Sequence, residues 1–228
     1  MSNIEKIFRE KKAVTLAELV IVISIIGVLT AIFGGAYRSQ STQVNFNNAM
    51  SKVVDIIQTA RNYAVSSRST MVSGALKIPP AGYGVYIERG ATLGTSRVIL
   101  FANVSDTGNR AFQYDNDGPA GNPADDIVEE TYTLPKDIDL GAIIGDGSTV
   151  VPTPLGTPQR VVIIFTPPLA DAYVVRNIGP NSSAAAFNTA PIQYGDLRLP
   201  FSRPGAPAGT PPKYLHFDKT AGFAELEL

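Results

Sequence analysis

The stretch from Val14 to Tyr37, VTLAELVIVISIIGVLTAIFGGAY, constrains this chain more than any other, because it is apolar almost throughout and its one charge is Glu18. A helix of this length crosses a bilayer hydrocarbon core of about 30 Å. Charges inside such runs cost free energy and are seldom accidental, so Glu18 requires a partner. The flanks give the run a direction. Lys6, Arg9, Lys11 and Lys12 precede it, opposed by Glu5 and Glu10, and Arg38 stands close behind it. Positive residues stay on the cytoplasmic side, which predicts a single-pass chain with its N-terminus inside and everything after Tyr37 outside. Two simpler readings compete. Gly34-Gly35-Ala36 offers a small-residue cleavage site for a secretory signal, and the run would also serve as a plain anchor. The length of the run, the carboxylate at its start and the helical pattern beyond it weigh against the signal peptide.

Lys11-Lys12-Ala13, then Val14-Thr15-Leu16-Ala17-Glu18, then a continuous apolar run, resembles the class III signal of type IV prepilins and pseudopilins. The resemblance implies that a prepilin peptidase cuts between Ala13 and Val14, removes a basic leader (1–13) and N-methylates Val14. Glu18 then falls at the family's fifth mature position. The family usually has Gly before the cut and Phe after it, where this chain has Ala13 and Val14. The resemblance further implies a structural subunit of a type IV pilus or a type II secretion pseudopilus, held first in the inner membrane. Its partners would be other pilin or pseudopilin subunits and the membrane assembly machinery, with the head periplasmic or extracellular.

The chemistry behind this signal stands without the family. A cut after Ala13 creates an α-amino group on Val14, a cation at the head of a lipid-soluble helix, and a buried carboxylate is tolerated when an ammonium pairs with it. Val14 and Glu18 lie one helical turn apart, so a local pair is available. A pair between neighbouring chains does more, since it makes docking depend on both charges and sets the axial register of a helix bundle.

At 228 residues the chain holds one domain of ordinary size beyond the anchor. The formal net charge of -1 offers no electrostatic case for nucleic acid, and Arg160, Arg176, Arg198, Arg203 and Lys213 are scattered rather than clustered. Cysteine is absent, which excludes disulfides and thiolate metal sites. Many pilins close a C-terminal loop with a disulfide; here packing or an ion must serve instead.

Gly34 and Gly35 interrupt the apolar helix and mark a local weak point, since each glycine costs about 1 kcal/mol relative to alanine; close packing through small residues is the equal alternative. From Ser39 to about Ser67, Phe46, Met50, Val53, Val54, Ile57, Ala60 and Ala64 recur at steps of three and four. This stripe opposes Asn47, Asn48, Lys52, Asp55, Gln58 and Arg61. Together the two halves predict a helix of about 80 Å. Ala60 to Ala64, Ser66 to Ser69 and an extended Thr70 to Ile78 are similar to the helix end and first strand of H-type minor pseudopilins. Beyond Gly74 come short β-rich runs at Tyr83–Glu88, Arg97–Phe101, Ile127–Leu134, Val161–Thr166 and Tyr173–Val175, followed by a terminal hairpin of Tyr214–Phe217 and Phe223–Leu228. Asp146–Pro158, Asn177–Thr189 and Pro200–Pro212 read as long loops.

The expected fold is therefore α+β: a leader (1–13), a transmembrane helix half (14–37), an amphipathic helix half (38–70) and a mainly antiparallel β head (71–228). One ion site is a candidate. Asp115, Asp117, Asp125 and Asp126 could offer calcium its oxygens, although the spacing is not that of a helix-loop-helix site; an Asp-Gly turn with solvated charges is the preferred reading. No other cofactor is expected. His216 is the only histidine and no nucleophile elbow, phosphate loop or metalloprotease helix is present, which argues against an enzyme. The rival to a filament subunit is a secreted or anchored β-domain that binds a surface ligand such as a glycan.

Overall fold

The computed structural model describes residues 14–72, 74–104, 114, 126–146, 149–151, 159–176, 193–206 and 209–227. Among them the fold is α+β, with one N-terminal helix, α1 (Leu16–Val65), followed by antiparallel strands. The chain divides into two compact units, Met1–Asn45 and Phe46–Leu228, so the second part of the helix belongs with the head.

Within the second unit the expected stripe is the seed of the core. Phe46, Met50, Val53, Ile57, Ala60 and Ala64 are buried, Ala49 and Ile56 join them, and Val54 is partly covered. Asn47, Asn48, Asp55, Gln58 and Arg61 are exposed, as the period requires. α1 ends at Val65, five residues before the expected boundary at 70. Ser67 takes φ of 47°, its N–H bonds Ala64 O at 3.0 Å and the Arg68 N–H bonds Tyr63 O at 3.0 Å. These two bonds form a Schellman cap with serine where glycine is usual. The Arg68 guanidinium then lies 3.9 Å over the Tyr63 ring, and Tyr83 Oη donates to Arg68 O.

The stretch expected to be one extended segment after the helix is a ribbon of two strands, β1 (Thr70–Val72) and β2 (Ala75–Lys77), turning at Gly74 with φ of 80°. The first six-stranded sheet contains β3 (Tyr83–Glu88), β4 (Arg97–Ala102), β5 (Ile127–Thr133), β9 (Arg160–Thr166), β10 (Asp171–Arg176) and β11 (Gln193–Tyr194), in the order β11-β10-β9-β3-β4-β5. The second contains β7 (Ile144–Gly145), β8 (Thr149–Val150), β12 (Asp196–Ser202), β13 (Lys213–Asp218) and β14 (Phe223–Glu227), in the order β14-β13-β12-β7-β8, with β6 (Asp139–Leu140) pairing β12. All pairings are antiparallel. β13 and β14 are the expected terminal hairpin. Pro200–Ser202, expected to open a loop, belongs instead to β12.

Period-two alternation divides the first sheet between two cores. Val85, Ile87, Val98, Leu100, Val161, Ile163 and Phe165 share one cluster with the helix stripe and with Leu197, Leu199, Phe201, Leu215 and Phe217 of the second sheet. The alternate residues Tyr86, Ile99, Phe101, Val162, Ile164 and Val175 form a second cluster with Tyr114. Gly84 lies on that side, where a Cβ would stand 2.4 Å from the Phe101 ring, so the ring occupies the space a side chain would need.

A buried carboxylate, Glu88, lies where the ends of β3, β4 and β9 meet. Glu88 accepts from Arg160 Nε at 2.8 Å and from Arg97 Nε. Burial pushes its carboxyl up, but the hydrogen bonds from Arg160 and Arg97 outweigh burial and hold it below the usual carboxylate range. A depressed folded pKa makes the contribution full at neutral pH and lost as the pH falls below about 4. Glu88→Gln should therefore cost about 2 kcal/mol at neutral pH, with the gap to the parent narrowing in acid. Denaturation followed by tyrosine fluorescence at a series of pH values checks this. Ser67→Gly should raise the denaturation midpoint, with a gain of about 1 kcal/mol, by relieving the left-handed backbone at the helix cap.

Candidate functional site

The site is the head of the apolar helix. Leu16–Phe33 is long and apolar enough to cross a membrane by length and composition, and none of it is buried. Its large apolar side chains point outward all round; Leu16, Leu19, Val20, Ile21, Val22, Ile23, Ile25 and Ile26 are all exposed, and Val28, Leu29, Ile32 and Phe33 continue the pattern. The two hydroxyls in this span turn back onto the helix itself: Ser24 Oγ donates to Val20 O and Thr30 Oγ1 to Ile26 O, each at 2.8 Å. Polar groups closed within the segment are what an apolar surrounding demands.

Glu18 sits in the first turn and is exposed. Thr15 N–H donates to Glu18 Oε2 at 2.8 Å, Thr15 Oγ1 donates to the same oxygen at 2.9 Å, and the Glu18 N–H donates to Thr15 Oγ1 at 3.2 Å. This is a reciprocal capping box: the threonine hydroxyl satisfies one of the amides that a helix start leaves open, and the glutamate carboxylate satisfies the amide of Thr15. The signal for it, Thr-x-x-Glu before an apolar run, is present in the sequence, yet the partners expected for Glu18 are the Val14 amine of its own or a neighbouring chain and not Thr15. Thr15 is the residue that reading missed.

The cap leaves Glu18 with a second oxygen. Among the described residues Oε1 has no hydrogen-bond donor, while Oε2 takes both Thr15 contacts. The carboxylate can hold the helix start and still accept an external cation.

The other expected site residues are placed as follows. Val14 lies two residues before the helix and is exposed; Ala13 lies outside the described residues. α1 runs through Gly34 and Gly35. Of the acidic loop, Asp115, Asp117 and Asp125 lie outside the described residues. Asp126 is buried just before β5, where Oδ1 accepts the Val104 N–H at 3.1 Å. Among the described residues there is no group of three or more His, Asp or Glu side chains that could hold a metal ion. His216 lies in β13 with Nε2 3.6 Å from Asp196 Oδ2 and Nδ1 3.7 Å from Glu227 Oε1.

No family model, curated protein or solved structure matches this chain.

Removing the threonine isolates the cap. Thr15→Ala should destabilise the first helical turn by about 1 kcal/mol, read as faster amide exchange in residues 16–19 of the chain in detergent micelles, with exchange from Ile21 onward unchanged.

Proposed function

We propose that this chain is a subunit of a type IV pilin-like filament, a minor pilin or pseudopilin, processed between Ala13 and Val14 and assembled through its apolar helix. The observation that carries the reading is Glu18, the one charge of an otherwise apolar segment, fixed at the helix head with one carboxylate oxygen that takes no donor among the described residues. Burying the twelve large apolar side chains between Leu16 and Phe33 is worth tens of kcal/mol, at about 1.5–3 kcal/mol for each. A single carboxylate costs roughly 2.5–3.5 kcal/mol in a membrane-inserted helix. The apolar term wins, so the segment enters lipid with Glu18 attached, and the residual cost becomes a force for pairing.

The natural counter-ion is the amine that processing creates. Cleavage before Val14 leaves the Thr15 amide intact, so the cap survives the cut. Because Oε2 is already committed to Thr15, the open oxygen favours an ammonium brought by a neighbouring chain. That pair sets the register of one helix against the next. The leader (1–13), with its lysines and arginine, keeps the N-terminus in the cytoplasm until a prepilin peptidase removes it. The head then lies on the far side of the inner membrane, and its work is mechanical: polymerisation, priming of assembly or contact with cargo.

Mass spectrometry of the chain recovered from membranes should find a methylated Val14 at the N-terminus. A start near Tyr37 would mean a secretory signal, and an intact Met1 would overturn the processing step. Glu18→Gln should leave membrane insertion unchanged and reduce incorporation into filaments at least about tenfold, the loss of an ion pair desolvated on both sides. Normal incorporation of that variant would sink the assembly role.

A further inference from the structure

Two edge strands, β5 of the first large sheet and β14 of the second, are finished differently. β5, at one edge of the first sheet, carries an extra residue: Leu100 faces Glu130 and Phe101 faces Val128, so Glu129 bulges from the register. Its carboxylate takes Thr70 Oγ1 at 2.8 Å and Arg68 at 3.4 Å, and Glu130 takes Lys52 Nζ at 2.8 Å. Bulges and charges of this kind prevent an edge from pairing with another chain. β14, at one edge of the second sheet, has no bulge; it keeps register with β13 from Phe223 opposite Asp218 to Glu227 opposite Tyr214. Beside it opens a groove of about 310 Å³, walled by Val54, Asp55 and Gln58 of α1 and by Ala224, Glu225 and Leu226.

Two cross-strand rows stop at this edge. On the core side Leu199, Leu215 and Leu226 face one another across β12, β13 and β14; the first two are fully buried and Leu226 is 39 % exposed. On the opposite side Arg198, His216 and Glu225 form the matching row, with His216 Nδ1 3.8 Å from Glu225 Oε1. The next strand out would complete these rows with one apolar and one cationic residue at adjacent positions. β2 supplies that pair. Leu76 is 70 % exposed beside its cross-strand neighbour Met71, and Lys77 projects from the other face of the ribbon. β1 occupies one edge of β2 and leaves the other free.

We propose that β2 of one copy adds to the β14 edge of a second copy of this chain. Leu76 then continues the row Leu199–Leu215–Leu226 on the groove side, and Lys77 continues the row Arg198–His216–Glu225 next to the Glu225 carboxylate. Main-chain hydrogen bonds give the contact its direction, and the alternating side chains give it its register. Ribbon and groove are different patches of one surface, so the contact is head-to-tail and propagates from copy to copy. Three paired residues make a weak contact on their own; it acts where copies are concentrated side by side. Both surfaces lie within Phe46–Leu228, so the inference stands apart from the processing of the N-terminus and would survive its failure.

The absence of native cysteine makes the test clean. Opposed residues on paired strands have Cα atoms about 4.5–5.5 Å apart, within disulfide reach. A full-length Leu76→Cys chain and a differently tagged Leu226→Cys chain, reconstituted together in lipid vesicles and mildly oxidised, should form a mixed disulfide dimer, and neither should dimerise alone. Adding Lys77→Glu to the first chain should cut the mixed yield about fivefold, and Glu225→Lys in the second should restore it. In parallel, carbodiimide treatment of the unsubstituted chain should join Lys77 to Glu225 between copies, seen by mass spectrometry of the cross-linked peptides. Self-dimers as abundant as the mixed dimer, a yield indifferent to Lys77→Glu, or no Lys77–Glu225 link in the unsubstituted chain would each overturn the proposal.

Discussion

The head depends on one face of α1. Phe46, Met50, Val53, Ile56, Ile57 and Ala60 are almost wholly buried and belong to a single cluster that also contains side chains of both large sheets. At roughly 1.5–3 kcal/mol for each large apolar side chain withdrawn from water, this stripe contributes more than any cap or ion pair in the head. No disulfide shares the load, because the chain has no cysteine. Packing is the substitute: the Phe165 and Phe217 rings meet edge-on at 5.9 Å where the two sheets approach. The Glu88 pair with Arg97 and Arg160 has a narrower role. It closes the ends of β3, β4 and β9 without leaving an unpaired charge, and its removal would expose the cost of burying what remained.

Strands with dense β-branched and aromatic content were legible from residues alone. Tyr83–Glu88 and Arg97–Phe101 fall within a residue of their expected bounds, because sheets buried on both faces need near-continuous apolar runs. The terminal hairpin was legible from alternation instead, since Ala224 is buried between the exposed Phe223 and Glu225. Pro200 was misleading for a definable reason. Proline lacks the N–H of a ladder, so it reads as a loop. In β12 the neighbour β7 pairs Leu197 and Arg198 while β6 pairs Phe201 and Ser202, so Pro200 falls in the gap between them. Its carbonyl still accepts the Gly141 N–H at 2.8 Å. The two-residue strands β6, β7 and β8 carry too little sequence to have a period, and tertiary pairing alone defines them. Ser67 is similar: nothing in its identity announces a left-handed helix cap, which glycine would have signalled.

At the candidate site the sequence displayed more than was read from it. Glu18 was visible as an anomaly because a charge interrupts an apolar run. Its partner three residues earlier was equally visible as a capping pattern, but capping and membrane burial are arguments made on different scales, and the second overshadowed the first. The distinction matters for what the carboxylate can do. A glutamate without local bonds would lose side-chain entropy on meeting a neighbour, whereas one held by Thr15 has already lost it.

That preorganisation also bears on geometry. A flexible carboxylate on a helix can reach a cation over a wide arc and so specifies little about where the neighbouring helix must stand. With Oε2 tied to both the amide and the hydroxyl of Thr15, Oε1 is held in one direction relative to the helix axis. An ammonium arriving at that oxygen is therefore constrained in height as well as in distance, and charge-assisted hydrogen bonds lose strength quickly when bent. Leu, Ile and Val side chains discriminate weakly between axial offsets, because they pack nearly as well after sliding by a turn. In the proposed filament, the cap would thus convert a general attraction between opposite charges into a preference for one stagger, which sliding apolar helices could not supply by themselves.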